Sequence, residues 1–262
     1  MTALLEAREL RKSFSAPARM RGRVTAVDGV SLELAAGETL AIVGESGSGK
    51  TTLARMLLRL IEPDSGELLV DGRDFLAARG GELRALRREM QMVFQDPFAS
   101  LDPRMRIAAI ISEPLEIHEP RLARAQRRER VSEALRAVGM GEDALTRYPH
   151  EFSGGQRQRI GIARALVLRP RLVVADEPVS SLDVSVGAQI LELLQNLQRD
   201  FSLTYLLISH SLPVVAQLAT RIAVMHGGRI VETGAAAQIL GAPTHPYTQS
   251  LIAAIPVLPI VP

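Results

Sequence analysis

An α/β fold, with a parallel or mixed sheet covered by helices, is predicted by three observations. Short β-rich runs alternate with longer helical patterns along most of the chain. The apolar run "TLAIV" passes directly into the glycine-rich stretch "GESGSGKTT" and then into a helical pattern. Between Pro97 and Pro149 strand signals vanish, which sets off a separate helical lobe.

Taken in order, "VSLEL" alternates with period two, "AAGE" turns, and "TLAIV" is continuous enough for a buried central strand. "KTTLARMLLRLI" has helical spacing up to Pro63, so the glycine-rich stretch lies between strand and helix. "GELLVDGRD" reads as a strand entering an Asp-Gly turn, and "MQMVF" as a further strand. In the lobe, prolines punctuate at 103, 114 and 120, and a helix over 121–138 carries Leu122, Val131, Leu135 and Val138. Its "RRER" run is a solvated face. From "FSGGQ" a helix runs to Pro170, "RLVVAD" is a buried strand, 184–200 a helix, "LTYLLISH" a strand, and "IAVMHGGRIVE" a hairpin through Gly227-Gly228. The ending "HPYTQSLIAAIPVLPIVP" reads as a short helix and a proline-stiffened tail packed on the body.

Composition narrows the function. With 47% hydrophobic and 23% charged residues, neither a disordered chain nor a multi-span membrane protein fits. Aromatic residues make up 3%, which argues against reading single strands of nucleic acid by base stacking, and a net charge of +2 implies no strongly basic face. Cysteine is absent, which excludes disulfides, thiolate zinc sites and cysteine-bound clusters. "MTALLEAREL" lacks the apolar stretch of a secretory signal, and "LIAAIPVLPIVP", broken by Pro256 and Pro259, is shorter than the roughly 20 residues of a membrane span. A cytosolic address is expected, with membrane association only through a partner.

Lys12 and Lys50 stand alone among arginines, and Lys50 falls in Gly44-x-x-x-x-Gly49-Lys50-Thr51, the phosphate-loop pattern in the required strand-to-helix context. Glycines let backbone N–H groups close around phosphate oxygens, and the helix N-terminus adds partial positive charge. Lys50 reaches the β- and γ-phosphates while the Thr51 hydroxyl binds Mg²⁺. In "LVVADE", Asp176 at a strand end offers a second Mg²⁺ contact, and Glu177 is placed to orient or deprotonate an attacking water. Ser153-Gly154-Gly155-Gln156 reads as a capping box. Two glycines in a first helical turn cost about 1 kcal/mol each and also suit a second phosphate grip. His118, His150, His226 and His245 lack metal-ligand spacing and are given no role.

These residues closely resemble the ATP-binding cassette family, the nucleotide-binding subunits of ABC transporters, over almost the whole chain. "GESGSGKT" resembles the Walker A loop, so Gly44, Glu45, Ser46, Gly47, Ser48, Gly49, Lys50, Thr51 and Thr52 are expected to hold ATP. "FSGGQ" resembles the signature, with Phe152 where Leu is usual, and "LVVADE" the Walker B strand. Gln95 in "MVFQDP" matches the Q-loop, a Mg²⁺ contact and the hinge to the helical lobe. "SLD" from Ser181 to Asp183 matches the D-loop, His210 the switch histidine, and Phe14 the aromatic that stacks on adenine. Phe14 could equally pack within the first strand.

The implied architecture is one P-loop NTPase domain over 1–262. A RecA-like core with an antiparallel β subdomain takes 1–96 and 151–240, the inserted helical lobe about 97–168, and a tail 241–262. The implied mechanism pairs two cassettes head to tail. ATP with Mg²⁺ lies between Lys50 of one and Ser153–Gln156 of the other, with Glu177, His210 and Gln95 catalytic and Asp183 at the nucleotide. Ser211 where Asp is common, and Val179 and Gly187 for the usual Thr and Gln, are departures, and Gly187 should weaken the helix it opens.

"QDPFASLDPRM", "SSLDVSVGAQIL" and "HPYTQSLIAAIP" resemble the branch importing oligopeptides, dipeptides and nickel. The expected partners are a second identical or paralogous cassette, transmembrane permease subunits and, indirectly, an extracytoplasmic solute-binding protein, at the cytoplasmic face of the cell membrane. Nickel or a metal chelate is the second substrate class. A soluble ABC ATPase acting on nucleic acid or ribosomes is the alternative of another kind, and a small-molecule P-loop kinase leaves "SGGQ" unexplained. No nucleic-acid partner is expected.

Overall fold

The computed structural model describes residues 3–15, 22–96 and 100–254. Pro97, where the helical lobe was expected to begin, and the tail with Pro256 and Pro259 lie outside the described residues. In chain order the strands are β1 (Ala3–Ser15), β2 (Arg23–Ala35), β3 (Thr39–Val43), β4 (Ser65–Val70), β5 (Arg73–Asp74), β6 (Met90–Val93), β7 (Leu172–Asp176), β8 (Thr204–Ser209), β9 (Arg221–His226) and β10 (Arg229–Ala235). The helices are α1 (Lys50–Leu57), α2 (Gly80–Glu89), α3 (Ile107–His118), α4 (Arg124–Ala137), α5 (Gly154–Leu166), α6 (Val184–Phe201), α7 (Leu212–Leu218), α8 (Ala236–Gly241) and α9 (Pro246–Ala253). Among the described residues, no helix is long and apolar enough to cross a membrane.

The chain forms two compact units. The first takes Met1–Leu34, Glu38–Leu76 and Leu207–Pro262. It holds a sheet in the order β2-β1-β4-β5, with β1–β4 and β4–β5 antiparallel. The β4–β5 turn has positive φ at Asp71 (48°) and Gly72 (72°), the tight hairpin geometry that Asp-Gly favours. In the same unit β9 pairs β10 antiparallel and β3 parallel, with Leu40 opposite Arg221 and Val43 opposite Val224. Every residue of β3 is buried, as expected of an apolar run in a parallel pair covered on both faces.

α1 stops at Leu57, well short of Pro63. Leu60 N–H donates to Arg55 O and Arg59 adopts φ 51°, a left-handed helix end. The Arg59 guanidinium is buried, donates to Phe75 O (2.9 Å) and pairs with Glu62 (2.8 Å), so that the helix end is bolted to the residue after β5. Spacing shows the helical period of "MLLRLI" but not this long-range anchor.

The second unit takes Ala35–Gly37 and Ala77–Leu206, with strand order β8-β7-β6. β6 pairs β7 in parallel, Met90 opposite Leu172 and Val93 opposite Ala175. α5 buries Ile160, Ile162, Ala163, Ala165 and Leu166 and packs on α3, α4 and α6. Pro114 does not end a helix but sits inside α3, whose buried Ile107, Ile110, Ile111 and Leu115 outweigh the one lost backbone bond. α5 ends at Leu166 rather than Pro170, because the residue before a proline avoids the α region, and Arg169 turns left-handed at φ 53°.

Candidate nucleotide site

In the first unit the loop from Gly44 to Gly49 joins buried β3 to α1. Gly44 (φ 151°) and Gly49 (φ 106°) are required twice over. Their φ values exclude side chains, and a Cβ would lie 2.1 Å from Met225 O or from Ala26 O respectively. Gly47 (φ 82°) faces open space on the other side, with nothing within 4 Å of a Cβ. The loop is thus seated on backbone at Gly44 and Gly49, with open space at Gly47. Its seat is further fixed by Gly228 N–H donating to Ser48 O (3.1 Å) and Asp28 N–H to Gly228 O (2.9 Å).

Gly49 caps α1 with no side chain, and no acidic residue lies in the first turn, so helix N–H groups and the positive end of the dipole suit an anion. Lys50 is buried, 6% exposed, and its Nζ donates to Gly44 O (2.8 Å), Glu45 O (2.7 Å) and Ser48 Oγ (3.4 Å). A buried ammonium at the mouth of a helix N-terminus is a cation suited to an anionic ligand. Glycine cradle and lysine together fit a polyphosphate. Thr51 and Thr52 follow in the first turn, half-buried; Ser46 is exposed.

In the second unit Asp176 is buried at the end of β7 and Glu177 follows at φ 48°, a left-handed conformation uncommon for a non-glycine residue. The Ser180 N–H (3.2 Å) and hydroxyl (3.1 Å) donate to Glu177 O, which holds that turn. Gln95 Nε2 donates to Glu177 Oε2 at 2.9 Å, a contact across 82 residues that joins the end of β6 to the end of β7. Of the three expected Mg²⁺ contacts, Thr51 is in the first unit and Gln95 and Asp176 are in the second.

The capping box at α5 is formed: Gln156 N–H donates to Ser153 Oγ (3.4 Å) and Ser153 N–H to Gln156 Oε1 (3.0 Å). The two glycines differ. A Cβ on Gly155 would lie 2.4 Å from Val186 Cγ1 of α6, whereas one on Gly154 would meet only Leu182 Cδ2, at 3.4 Å. Gly155 therefore has a packing reason that spacing alone does not reveal. Phe152 is buried with the Arg147 guanidinium 4.4 Å above its ring. Asp183 precedes α6, exposed and without a side-chain cap bond.

Back in the first unit, His210 is exposed just after β8. Phe14 is 41% exposed on β1 with Lys12 Nζ 5.8 Å from its ring centroid, so it is not a core packing residue. One residue at the loop went unassigned in the sequence. The Tyr247 hydroxyl of α9 accepts the Glu45 N–H at 3.1 Å. The available signal was "HPYTQSL" itself, read only as a packed helix.

The family model described as ABC transporter matches residues 27–180. A probable peptide ABC transporter ATP-binding protein of Sinorhizobium fredii is 56% identical over 234 residues, 89% of this chain and 66% of that protein. The dipeptide transport ATP-binding protein DppF of Lactococcus lactis subsp. cremoris is 51% identical over 238 residues, 90% of this chain and 76% of that protein. Among solved structures, the dimeric post-hydrolysis state of the ATP-binding cassette MJ0796, bound to ADP and Pi, superposes with a TM-score of 0.78 at 28% identity, covering 88% of this chain and 98% of that one.

Proposed function

Since this chain belongs to the ABC transporter family, we propose that it is the ATP-binding and ATP-hydrolysing subunit that energises a membrane importer of oligopeptides or dipeptides. The observation that carries the chemistry is the buried Lys50 ammonium set in a loop whose Gly44 and Gly49 have backbone where a Cβ would go. The peptide substrate rests on the functions named for the S. fredii and L. lactis relatives.

In this reading Gly44–Thr52 hold the phosphates and Phe14, exposed on its strand, stacks on the adenine. Thr51, Gln95 and Asp176 would hold Mg²⁺, which neutralises charge on the β- and γ-phosphates. Glu177 accepts a proton from the attacking water and His210 helps place it. Gln95, bonded to Glu177, links the chemistry to the helical lobe. The whole chain acts as one ATPase domain beside a second cassette, whose Ser153–Gln156 and Asp183 complete the site. It sits at the cytoplasmic face of the membrane, held by permease subunits.

Equilibrium dialysis with ATP and Mg²⁺ tests the core of this. Lys50→Ala should lose at least about tenfold in affinity, the order expected for a charge-assisted contact. Equal binding by both proteins would remove Lys50 from the phosphates. Detergent extraction and affinity purification should co-isolate a multi-span permease; recovery of ribosomes or RNA instead would overturn the transport role.

A further inference from the structure

The contact between Tyr247 and Glu45 crosses 202 residues and ends on the phosphate loop. Three connections make it a built feature. First, α9 is anchored where it starts: the Glu232 carboxylate on β10 accepts the Thr244 N–H (2.8 Å), the Thr244 hydroxyl (2.8 Å) and the His245 N–H (3.1 Å). Second, His245 Nδ1 accepts the Tyr247 N–H (3.2 Å), and buried Thr248 follows, so the tyrosine is held in its turn of helix. Third, the Tyr247 ring lies 3.9 Å, centroid to centroid, from the ring of His226, the last residue of β9. Its neighbour Met225 supplies the carbonyl on which Gly44 is seated. The β9–β10 hairpin on which the loop is seated therefore also braces the helix whose tyrosine reaches Glu45.

Glu45 is gripped at both ends of its own backbone. Lys50 Nζ takes its carbonyl at 2.7 Å, and Tyr247 takes its N–H. If Lys50 turns to phosphate, the carbonyl grip weakens and the tyrosine contact remains. We propose that Tyr247 is a positioning residue for the phosphate loop, by which the C-terminal helix α9 holds Gly44–Ser46 in the concave shape that receives the triphosphate. The tether preorganises the loop, so less order has to be gained on binding. The proposal rests on the ATP reading above, but its first measurement needs no nucleotide.

Tyr247→Phe removes only the hydroxyl and keeps the ring over His226. Amide hydrogen exchange of the full chain, without ATP, should show the Glu45 amide exchanging about fivefold faster in the variant, the order of one net hydrogen bond. Peptides from the β1–β4 sheet should exchange as before and the melting temperature should hold. ATP affinity should fall about threefold by the same reasoning. Glu232→Gln, which loosens the start of α9 but leaves the tyrosine, should shift both readouts in the same direction and by less. Wild-type exchange at Glu45 in Tyr247→Phe would overturn the tether, and faster exchange with unchanged ATP affinity would overturn its positioning role. If wild type and Lys50→Ala both fail to bind ATP while Tyr247→Phe still frees Glu45, the ATP reading falls and the tether stands.

Discussion

At Gly49 two constraints coincide, because φ is 106° and the Ala26 carbonyl occupies the space where a Cβ would go, 2.1 Å away. Backbone cannot yield as a side-chain tip can, so Gly49→Ala should cost about 2 kcal/mol or more in stability, summing left-handed strain and the displaced strand. A denaturant melt measures this, and a midpoint within error of wild type would show that the loop has another seat. Glu177 poses the opposite case. Glutamine keeps an oxygen for the Gln95 Nε2, which donates at 2.9 Å, and asks nothing new of the backbone at φ 48°. Glu177→Gln should therefore fold and bind ATP as wild type while turnover falls about 10²–10⁴-fold, the range for a lost general base. Unchanged hydrolysis would take Glu177 out of the reaction.

The helices show what is readable from local pattern and what depends on distant anchors. "TLAIV" matches β3 residue for residue because continuous burial leaves its mark in composition. The end of α1 falls short of its helical pattern where the Arg59 guanidinium is anchored on Phe75 O, 16 residues on. Gly187 was expected to weaken α6, and there the structure sharpens the point. A Cβ would meet only Val179 Cβ, at an ordinary 3.6 Å, and φ is not left-handed. Gly187→Ala should stabilise by about 0.5–1 kcal/mol, seen as a higher melting temperature, and destabilisation instead would mean the helix needs the gap.

Helix α9 brings a pH dependence. Partial burial would raise the Glu232 carboxyl, but the Thr244 hydroxyl and the N–H groups of Thr244 and His245, all within hydrogen-bond distance, reverse that and lower it from 4.5 to about 2. A lowered folded-state value means the anion stabilises the fold fully above pH 4.5, with that contribution fading as pH falls towards 2. Glu232→Gln should accordingly melt below wild type at neutral pH, with the gap closing through that window. A gap independent of pH would mean that packing, not charge, holds the start of α9.

For the whole molecule, the motifs to which the proposed function gives chemistry can each be read alone, since each is written in a few adjacent residues. Their pairings cannot: Gln95 with Glu177 and Glu45 with Tyr247 join segments 82 and 202 residues apart, and a single chain records no such couplings. The largest pairing proposed, between two copies or paralogues, lies outside any one chain. Each chain carries one Lys50 and one Ser153–Gln156 segment, and in the proposed head-to-tail arrangement each site takes one from either side. That arrangement makes a complementation prediction. Lys50→Ala keeps a sound Ser153–Gln156 segment. Ser153→Arg keeps a sound lysine, while its bulk blocks the segment. Alone, neither variant has a site with both halves, and both should be inactive. Mixed, they form pairs in which the intact lysine of one faces the intact segment of the other, and hydrolysis should return. If the partner is a paralogue, the same recovery appears on adding it to Ser153→Arg but not to Lys50→Ala, at the site this chain's lysine serves. Full turnover by Ser153→Arg alone would show that a single chain holds everything the reaction needs.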